Sequence, residues 1–343
     1  MNKKIRVNMV SESEISVQGH GVHTAYEEIA SALEKRDDVT VIRGKFGELV
    51  DCDIVHFHTI GQRTWRKFFQ HGPKKVVSAH VVPASFVGSI ILAKYWAFAA
   101  RWYMSWYYKR ADKVLAVSGT VAKILHSELK VPKNKIETFY NTIDMTRYNF
   151  TEKERISARK KLGLNDCDCM VLGNGQVQPR KRLDIFVKMA LAIPDVKFIW
   201  IGGIPFKQLG ADYLSMQKLM KDIPDNMTIT GVIEHSAVRD YFIAADIFCL
   251  PAEQENHPMC VLEAASADLP IILRDIPEYT DTFGNDAILC DDNTFVDAVN
   301  KLRSDKTFYK NQQQKTKAIA DRFDSSNASE RLVKIYSELL AKK

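Results

Sequence analysis

Short apolar runs recur along the chain at residues 5–10, 53–58, 74–80, 114–118, 170–172, 198–203, 227–231, 245–250 and 271–273. Each has the length and the β-branched or aromatic content of a strand buried on both faces. Helix-forming stretches lie between many of them, including residues 25–33, 120–129 and 213–220. Strands that alternate with helices return parallel to one another, because a parallel neighbour needs a crossover of a dozen or more residues. The alternation therefore restricts the chain to an α/β fold built on parallel sheets. At 343 residues the chain is long for one core and natural for two such domains of about 150 residues each.

The apolar fraction of 46% and the charged fraction of 26% exclude a disordered chain. No secretory signal opens it, because the run at 5–10 is too brief for an h-region, and a cytoplasmic location is expected. The six cysteines (52, 167, 169, 249, 260, 290) lack zinc-ribbon spacing and read as reduced thiols, and Cys167-Asp-Cys169 is too isolated for a metal site. Repeats and low-complexity segments are absent.

The stretch 251–270, PAEQENHPMCVLEAASADLP, joins the 245–250 run to good helix formers from Met259 to Ala265. Glu255 then falls in the turn and Glu263 on the first turns of a helix. The positive N-terminal end of that helix points at the crevice outside the carboxyl ends of the strands, where α/β proteins bind nucleotides. Spacing alone also permits an acidic helix start with two solvated carboxylates.

Glu255-x7-Glu263, followed by Ala264-Ala265 and then Leu269-Pro270-Ile271-Ile272, resembles the E-x7-E signature of the retaining, family-four nucleotide-sugar glycosyltransferases. The resemblance implies the GT-B fold, two Rossmann-like doubly wound domains facing a central cleft. It divides the chain into an acceptor- and membrane-facing domain at 1–150, a nucleotide-sugar domain at 151–322, and a last helix at 323–343 that packs back on the first domain. The first Glu of the motif, here Glu255, lies by the donor sugar, and the second, Glu263, binds the ribose hydroxyls. Glu255 is followed by Asn256-His257-Pro258 where the family usually has Gly-Phe-Gly, which places Asn256 and His257 in the donor site and leaves the donor hexose open.

Other segments match the family in order. Gly19-His20-Gly21 opens the first helical run, and glycine there lets backbone N–H groups approach a phosphate. A plain turn is the other reading, since the G-x-G-x-x-G spacing is absent; the resemblance makes Gly19 and Gly21 the loop facing the diphosphate and acceptor. The runs at 53–58 and 74–80 end in His58 and His80. A strand-end histidine taken singly is commonly structural; the resemblance implies that His80 contacts the donor sugar, with a weaker counterpart for His58. Residues 139–144, Phe-Tyr-Asn-Thr-Ile-Asp, resemble the N-G-I-D segment that closes the first domain, with Thr142 in place of Gly. The family's G-R-(x)4-K-G becomes Gly175-Gln176, then Lys181-Arg182, so that Lys181 and the neighbouring Arg180 are left to grip the diphosphate and Gln176 offers only a hydrogen bond. Three consecutive cations at 180–182 also fit a solvated helix start.

Between residues 61 and 113 there are ten Lys or Arg against one acid, Asp112, interleaved with Trp, Tyr and Phe. Drawn as a helix, Leu92, Trp96, Ala99, Tyr103 and Tyr107 share one face, and Lys94, Arg101, Ser105 and Lys109 the opposite one. Lys94, Trp96, Arg101, Trp102, Trp106, Lys109 and Arg110 read as an interfacial surface for an anionic membrane and a lipid acceptor. An ordinary core helix with solvated cations is the competing reading. Lys94 and Arg101 argue against a transmembrane helix, and no nucleic-acid module accompanies the basic segment.

The function implied is retaining transfer of a hexose from UDP-glucose or UDP-galactose to a membrane glycolipid, glucosyl-diacylglycerol or diacylglycerol, by a protein attached peripherally to the inner face of the plasma membrane. Glu255, His80 and Lys181 are the expected catalytic group. No D-x-D motif follows a strand, and neither a metal nor another cofactor is expected. A capsule or glycoprotein glycosyltransferase using a soluble or polyprenyl-linked acceptor, and a catalytically silent membrane-binding module, are the alternatives.

Overall fold

The structure, a computed structural model, describes residues 4–12, 21–44, 48–86, 93–204 and 212–342. These divide into two compact units, one drawn from the described residues within 4–86, 94–144 and 323–342, the other from those within 145–322 together with residue 93.

The first unit carries a six-stranded parallel sheet. Its strands are β1 (Ile5–Val10), β2 (Val39–Ile42), β3 (Ile54–Phe57), β4 (Lys74–Ala79), β5 (Lys113–Ala116) and β6 (Ile136–Thr138), in the order β2-β1-β3-β4-β5-β6. Alternate residues enter two cores, as strand geometry requires. Val10, Val55, Phe57, Val77 and Ala79 pack with Phe68, Met104, Tyr107 and Tyr108. Val7, Met9, Ile54 and Val76 pack with Tyr26, Ile29 and Leu33 and with Leu332, Ile335 and Tyr336 of the helix Ser325–Ala341. Burial of side chains of this size stabilises by about 1.5–3 kcal/mol each, enough to hold a C-terminal helix on the sheet. Asp324 caps that helix through a 2.6 Å bond from Ser326 N, and Ser325 N donates to Ile143 O at 2.9 Å.

The second unit repeats the plan with β7 (Met170–Asn174), β8 (Lys197–Ile201), β9 (Met227–Ile229), β10 (Ile247–Leu250), β11 (Ile271–Arg274) and β12 (Ile288–Cys290), all parallel, in the order β12-β11-β10-β7-β8-β9. Phe186, Phe198, Trp200, Phe242 and Phe248 fill its interior. A Cβ on Gly173 would lie 3.0 Å from the Phe186 ring and closer still to Trp200, so glycine is what lets the indole lie against β7.

Strand order reverses beside the first strand of each unit: between β1 and β3, and between β7 and β10. At such a point the loops leaving neighbouring carboxyl ends diverge and open a crevice. The loops leaving β7 and β10 hold residues 175–182 and 251–258, so topology alone brings the two segments singled out in the sequence to one place.

Several sequence expectations need correction. The segment 275–278 after the 271–273 run reads as a post-strand loop in the sequence, but only 275–276 stay outside a helix; the helix Pro277–Thr282 starts there with proline in its first turn, where a missing N–H costs nothing. On the helix Ala93–Arg110 the buried face is rotated from the expected one. Met104, Tyr107 and Tyr108 are buried, Ala99 is exposed, and Ser105 donates to Leu129 O at 2.7 Å instead of facing solvent. Lys67, one of the ten cations of residues 61–113, is fully buried, with its ammonium 3.2 Å from the Asn8 side-chain amide oxygen. The side chains of Lys94 and Trp96 lie outside the described residues, as do Gly19 and Leu92. Among the described residues no helix is long and apolar enough to cross a membrane, and no group of three or more His, Cys, Asp or Glu could hold a metal ion.

Candidate active site

In the second unit, β7 ends at Asn174 and the chain turns through Gly175 to the short 3-10 segment Pro179–Lys181. A Cβ on Gly175 would come within 3.1 Å of Lys181 Cε, so the glycine makes room for the lysine stem along the turn. Opposite, β10 ends at Leu250 and the loop carries Glu255 back toward the same point. Arg180 Nη1 donates to Glu255 Oε1 at 2.9 Å and to Gln254 O at 2.9 Å, and the Lys181 ammonium pairs with the same carboxylate oxygen. Glu253 N donates in return to Arg180 O at 2.8 Å, so the two loops are tied through backbone as well as charge.

Glu255 and Glu263 are 9% and 5% exposed and Lys181 7%, which removes the reading of two solvated acids and a solvated cation run. Burial alone would raise the Glu255 carboxyl, but Lys181 and then Arg180 outweigh it and hold the group below its ordinary range. It is an anion flanked by two cations. Glu263 lies on the helix Met259–Ser266, buried, and its carboxylate is 3.5 Å from Asn174 Nδ2 at the end of β7. Gln176 accepts a 3.2 Å bond from Gln178 Nε2, while its own amide nitrogen is buried without a partner among the described residues. Asn256 Oδ1 accepts from Gln254 Nε2 at 3.3 Å, and the His257 ring stacks on Phe283 at 5.6 Å, an aromatic seat where the family pattern has Phe.

Arg182 departs from its neighbours. It sits in the left-handed region at φ 53°, the conformation a glycine adopts at no cost, and its guanidinium pairs with Asp184 at 2.9 Å, Asp292 at 3.0 Å and Glu253. Those carboxylates already neutralise it, so of the three consecutive cations only Arg180 and Lys181 converge on Glu255. Sequence reading did not single out Cys260, Gln254 or Tyr279. Cys260 is a buried thiol that burial pushes up to about 12, and the Tyr279 hydroxyl is buried with no partner among the described residues. The only sequence signal for them was nearness to Glu255 or to the 271–273 strand.

In the first unit, His58 and His80 follow β3 and β4 directly, and their rings meet, His58 Nδ1 lying 3.1 Å from His80 Nε2. His56, inside β3, bonds Tyr336 OH at 2.7 Å and Ser78 Oγ at 2.9 Å. Gly21 starts the helix Gly21–Glu34 and is exposed, with open space where a Cβ would stand. Phe98 and Trp102 are 81% and 64% exposed, and Arg101, Lys109 and Arg110 are exposed with them. Trp106 is half-buried between Phe68 and Phe69, with the Arg110 guanidinium 4.7 Å above its ring. The aromatic segment therefore packs on one side and stays open on the other.

A family model described as glycosyl transferases group 1 matches residues 154–319, and one described as glycosyltransferase family 4 matches residues 42–147. The α-galactosylglucosyldiacylglycerol synthase of Streptococcus pneumoniae is 32% identical over 282 residues, 81% of this chain and 74% of that protein. The processive diacylglycerol α-glucosyltransferase of Acholeplasma laidlawii is 26% identical, over 71% of this chain and 72% of that protein. Among solved structures, Anabaena HepE in complex with UDP and glucose superposes with a TM-score of 0.78 at 14% identity, over 97% of this chain and 99% of that one. Sucrose-phosphate synthase from Thermosynechococcus elongatus gives 0.76 at 15% identity, over 99% and 100%.

Proposed function

The chain belongs to the group 1, family 4 glycosyltransferases of GT-B fold, and from that premise we propose that it moves a hexose from a UDP-sugar to a diacylglycerol-based glycolipid with retention at the anomeric carbon. The observation that carries the donor half is the buried Arg180–Glu255–Lys181 cluster at the strand-order reversal of the second sheet. Two cations fixed on one carboxylate are a seat for a diphosphate, because the charge that develops on the leaving group needs donors already in place. The N-terminus of the helix Met259–Ser266 adds positive potential beside them.

Glu263 is assigned to the ribose hydroxyls, Gln176 to a phosphate oxygen, and Glu255, Asn256 and His257 to the sugar. His80, just after β4, is assigned to a donor-sugar hydroxyl. With these groups supplying the charge, no resident metal is invoked. Retention is assigned to front-face transfer: the bond from the anomeric carbon to the UDP oxygen breaks while the acceptor oxygen bonds that carbon on the same face and gives its proton to the departing phosphate, which Lys181 and Arg180 hold.

The acceptor assignment is supported by the kinship with two diacylglycerol glycosyltransferases and by the open face of the helix Ala93–Arg110. Trp102 and Phe98 suit the headgroup level of a bilayer, and each nearby cation gains about 1 kcal/mol on an anionic surface. That surface supports peripheral attachment to an anionic bilayer, which we assign to the inner face of the plasma membrane. The test is incubation of the pure protein with UDP-glucose or UDP-galactose, and with diacylglycerol, glucosyl-diacylglycerol or water-soluble sugars. Transfer to a lipid, with an α-linked product from the α-linked donor by NMR, is the expected result. Transfer to soluble sugars alone overturns the lipid assignment, and UDP binding without turnover overturns the catalytic one.

A further inference from the structure

We propose that His58 is a positioning residue that holds the His80 imidazole in its Nδ1–H tautomer, so that His80 presents a hydrogen-bond donor while its Nε2 is occupied. The proposal rests on the assignment of His80 to the donor sugar.

The geometry allows one proton between His58 Nδ1 and His80 Nε2, 3.1 Å apart. His58 is 3% exposed, and its other nitrogen, Nε2, has no partner among the described residues. A neutral imidazole carries one N–H and one bare nitrogen. Were the His58 proton on Nε2, a buried donor would be left unbonded, the rarer and costlier state. The proton therefore sits on His58 Nδ1 and is donated to His80 Nε2. That nitrogen is then the acceptor, and the His80 proton is on Nδ1.

Two ring contacts fix His58 itself. Its ring lies 5.4 Å from Tyr26 edge to face and 4.5 Å from His56. His56 cannot turn, because both its nitrogens are bonded, to Tyr336 OH and to Ser78 Oγ. Tyr336 comes from the last helix, so a residue 280 positions away in sequence braces the row of rings beside the carboxyl ends of β3 and β4. Burial also disfavours the charged form of His56 and His58, so neither is a second donor on that side.

The test uses ¹⁵N-histidine-labelled full-length protein and three variants. In wild type at neutral pH, His80, assigned by loss of its signal in His80→Ala, is expected to show the Nδ1–H pattern, with a protonated-type Nδ1 shift and a bare-type Nε2. An Nε2–H pattern overturns the proposal even if no variant folds. His58→Phe keeps the ring and loses the donor, and kcat/KM should fall about 10–100-fold. His58→Asn, whose side-chain N–H stands where Nδ1–H stood, should recover activity to within about threefold. In a His80→Ala background, His58→Phe should cost nothing further; the same loss there overturns the positioning role. Intact turnover of His80→Ala alone removes the sugar assignment, and the NMR pattern still decides the tautomer.

Discussion

Glu255→Gln separates the charge of the site from its shape. The carboxylate is 9% exposed and bridges Arg180 at 2.9 Å and Lys181, itself 7% exposed. The amide keeps the volume and removes the anion, leaving two cations facing each other with little solvent. Breaking a buried pair from one side costs about 3–5 kcal/mol, and Arg180, being only part-buried, puts this site near the lower figure. With melting shifts of about 2–4 °C per kcal/mol for a unit of this size, the ligand-free variant should melt about 6–12 °C below wild type. UDP carries no sugar for Glu255 to hold, but its diphosphate restores the missing negative charge. The variant should bind UDP about tenfold tighter than wild type, recovering about 1.4 kcal/mol of the loss, while turnover with the full donor falls. Calorimetric titration with UDP and melting curves with and without it measure both quantities. Equal affinity and equal UDP-induced melting shifts in the two proteins would refute the assignment of Arg180 and Lys181 to the diphosphate.

Replacing Arg101, Lys109 and Arg110 together by Ala, all exposed, should weaken sedimentation with anionic vesicles by about 3 kcal/mol, on the order of 100-fold, and lower the melting temperature only slightly, through the lost Arg110–Trp106 contact and the Arg101 bond to Glu128 O; equal pelleting of wild type with neutral and anionic vesicles at low salt contradicts the electrostatic attachment. Trp102→Ala should weaken binding to both kinds of vesicle, a loss that added salt does not remove. Gly173→Ala should destabilise by about 1–3 kcal/mol through overpacking against Phe186 and Trp200, seen as a lower urea midpoint with unchanged slope. His56 titrates at about 3 when folded, below the ordinary value of 6.5, so the unfolded chain binds more protons between those values. Stability should then fall as pH drops below about 6.5, by up to about 1.4 kcal/mol per pH unit for this group, and His56→Gln should flatten that slope in urea titrations at pH 5 and 7.

The central strands were legible in the sequence because they are buried on both faces: Ile247–Leu250 is apolar throughout and all four residues are buried. The strands missed, β2, β6 and β12, stand at or next to the sheet margins, and Ile136–Thr138 is only part-buried along its length, so its residues carry no run of apolar side chains to read. Glu255 and Glu263 could be placed by their spacing, and their burial could not. Arg182 shows the limit from the other side. As a third cation in a row it reads like part of a solvated helix start, and only the fold brings Asp184, Glu253 and Asp292, the last 110 positions away, to neutralise it. The rotation of the Ala93–Arg110 helix has a similar origin, since Trp and Tyr suit an interface and a core equally and the choice falls to partners such as Phe68 and Leu129.

The carboxyl ends of the two sheets present different chemistry. In the first unit His56, within β3, and His58, just after it, are buried and disfavoured in the charged form, so they can give and accept hydrogen bonds and carry no charge to offset a phosphate. The second sheet ends in a carboxylate between two cations, where a diphosphate can share charge that the fold has already desolvated and fixed. Taking Arg and Lys out of water is costly without an anion, so a site that must stand ready for a phosphate needs a stand-in when none is bound. On the proposed assignment of Arg180 and Lys181 to the diphosphate, Glu255 is that stand-in. Its place beside Lys181 explains why a residue assigned to a sugar should be acidic at all: a neutral residue able to hydrogen-bond the same hydroxyls would leave the phosphate seat unbalanced.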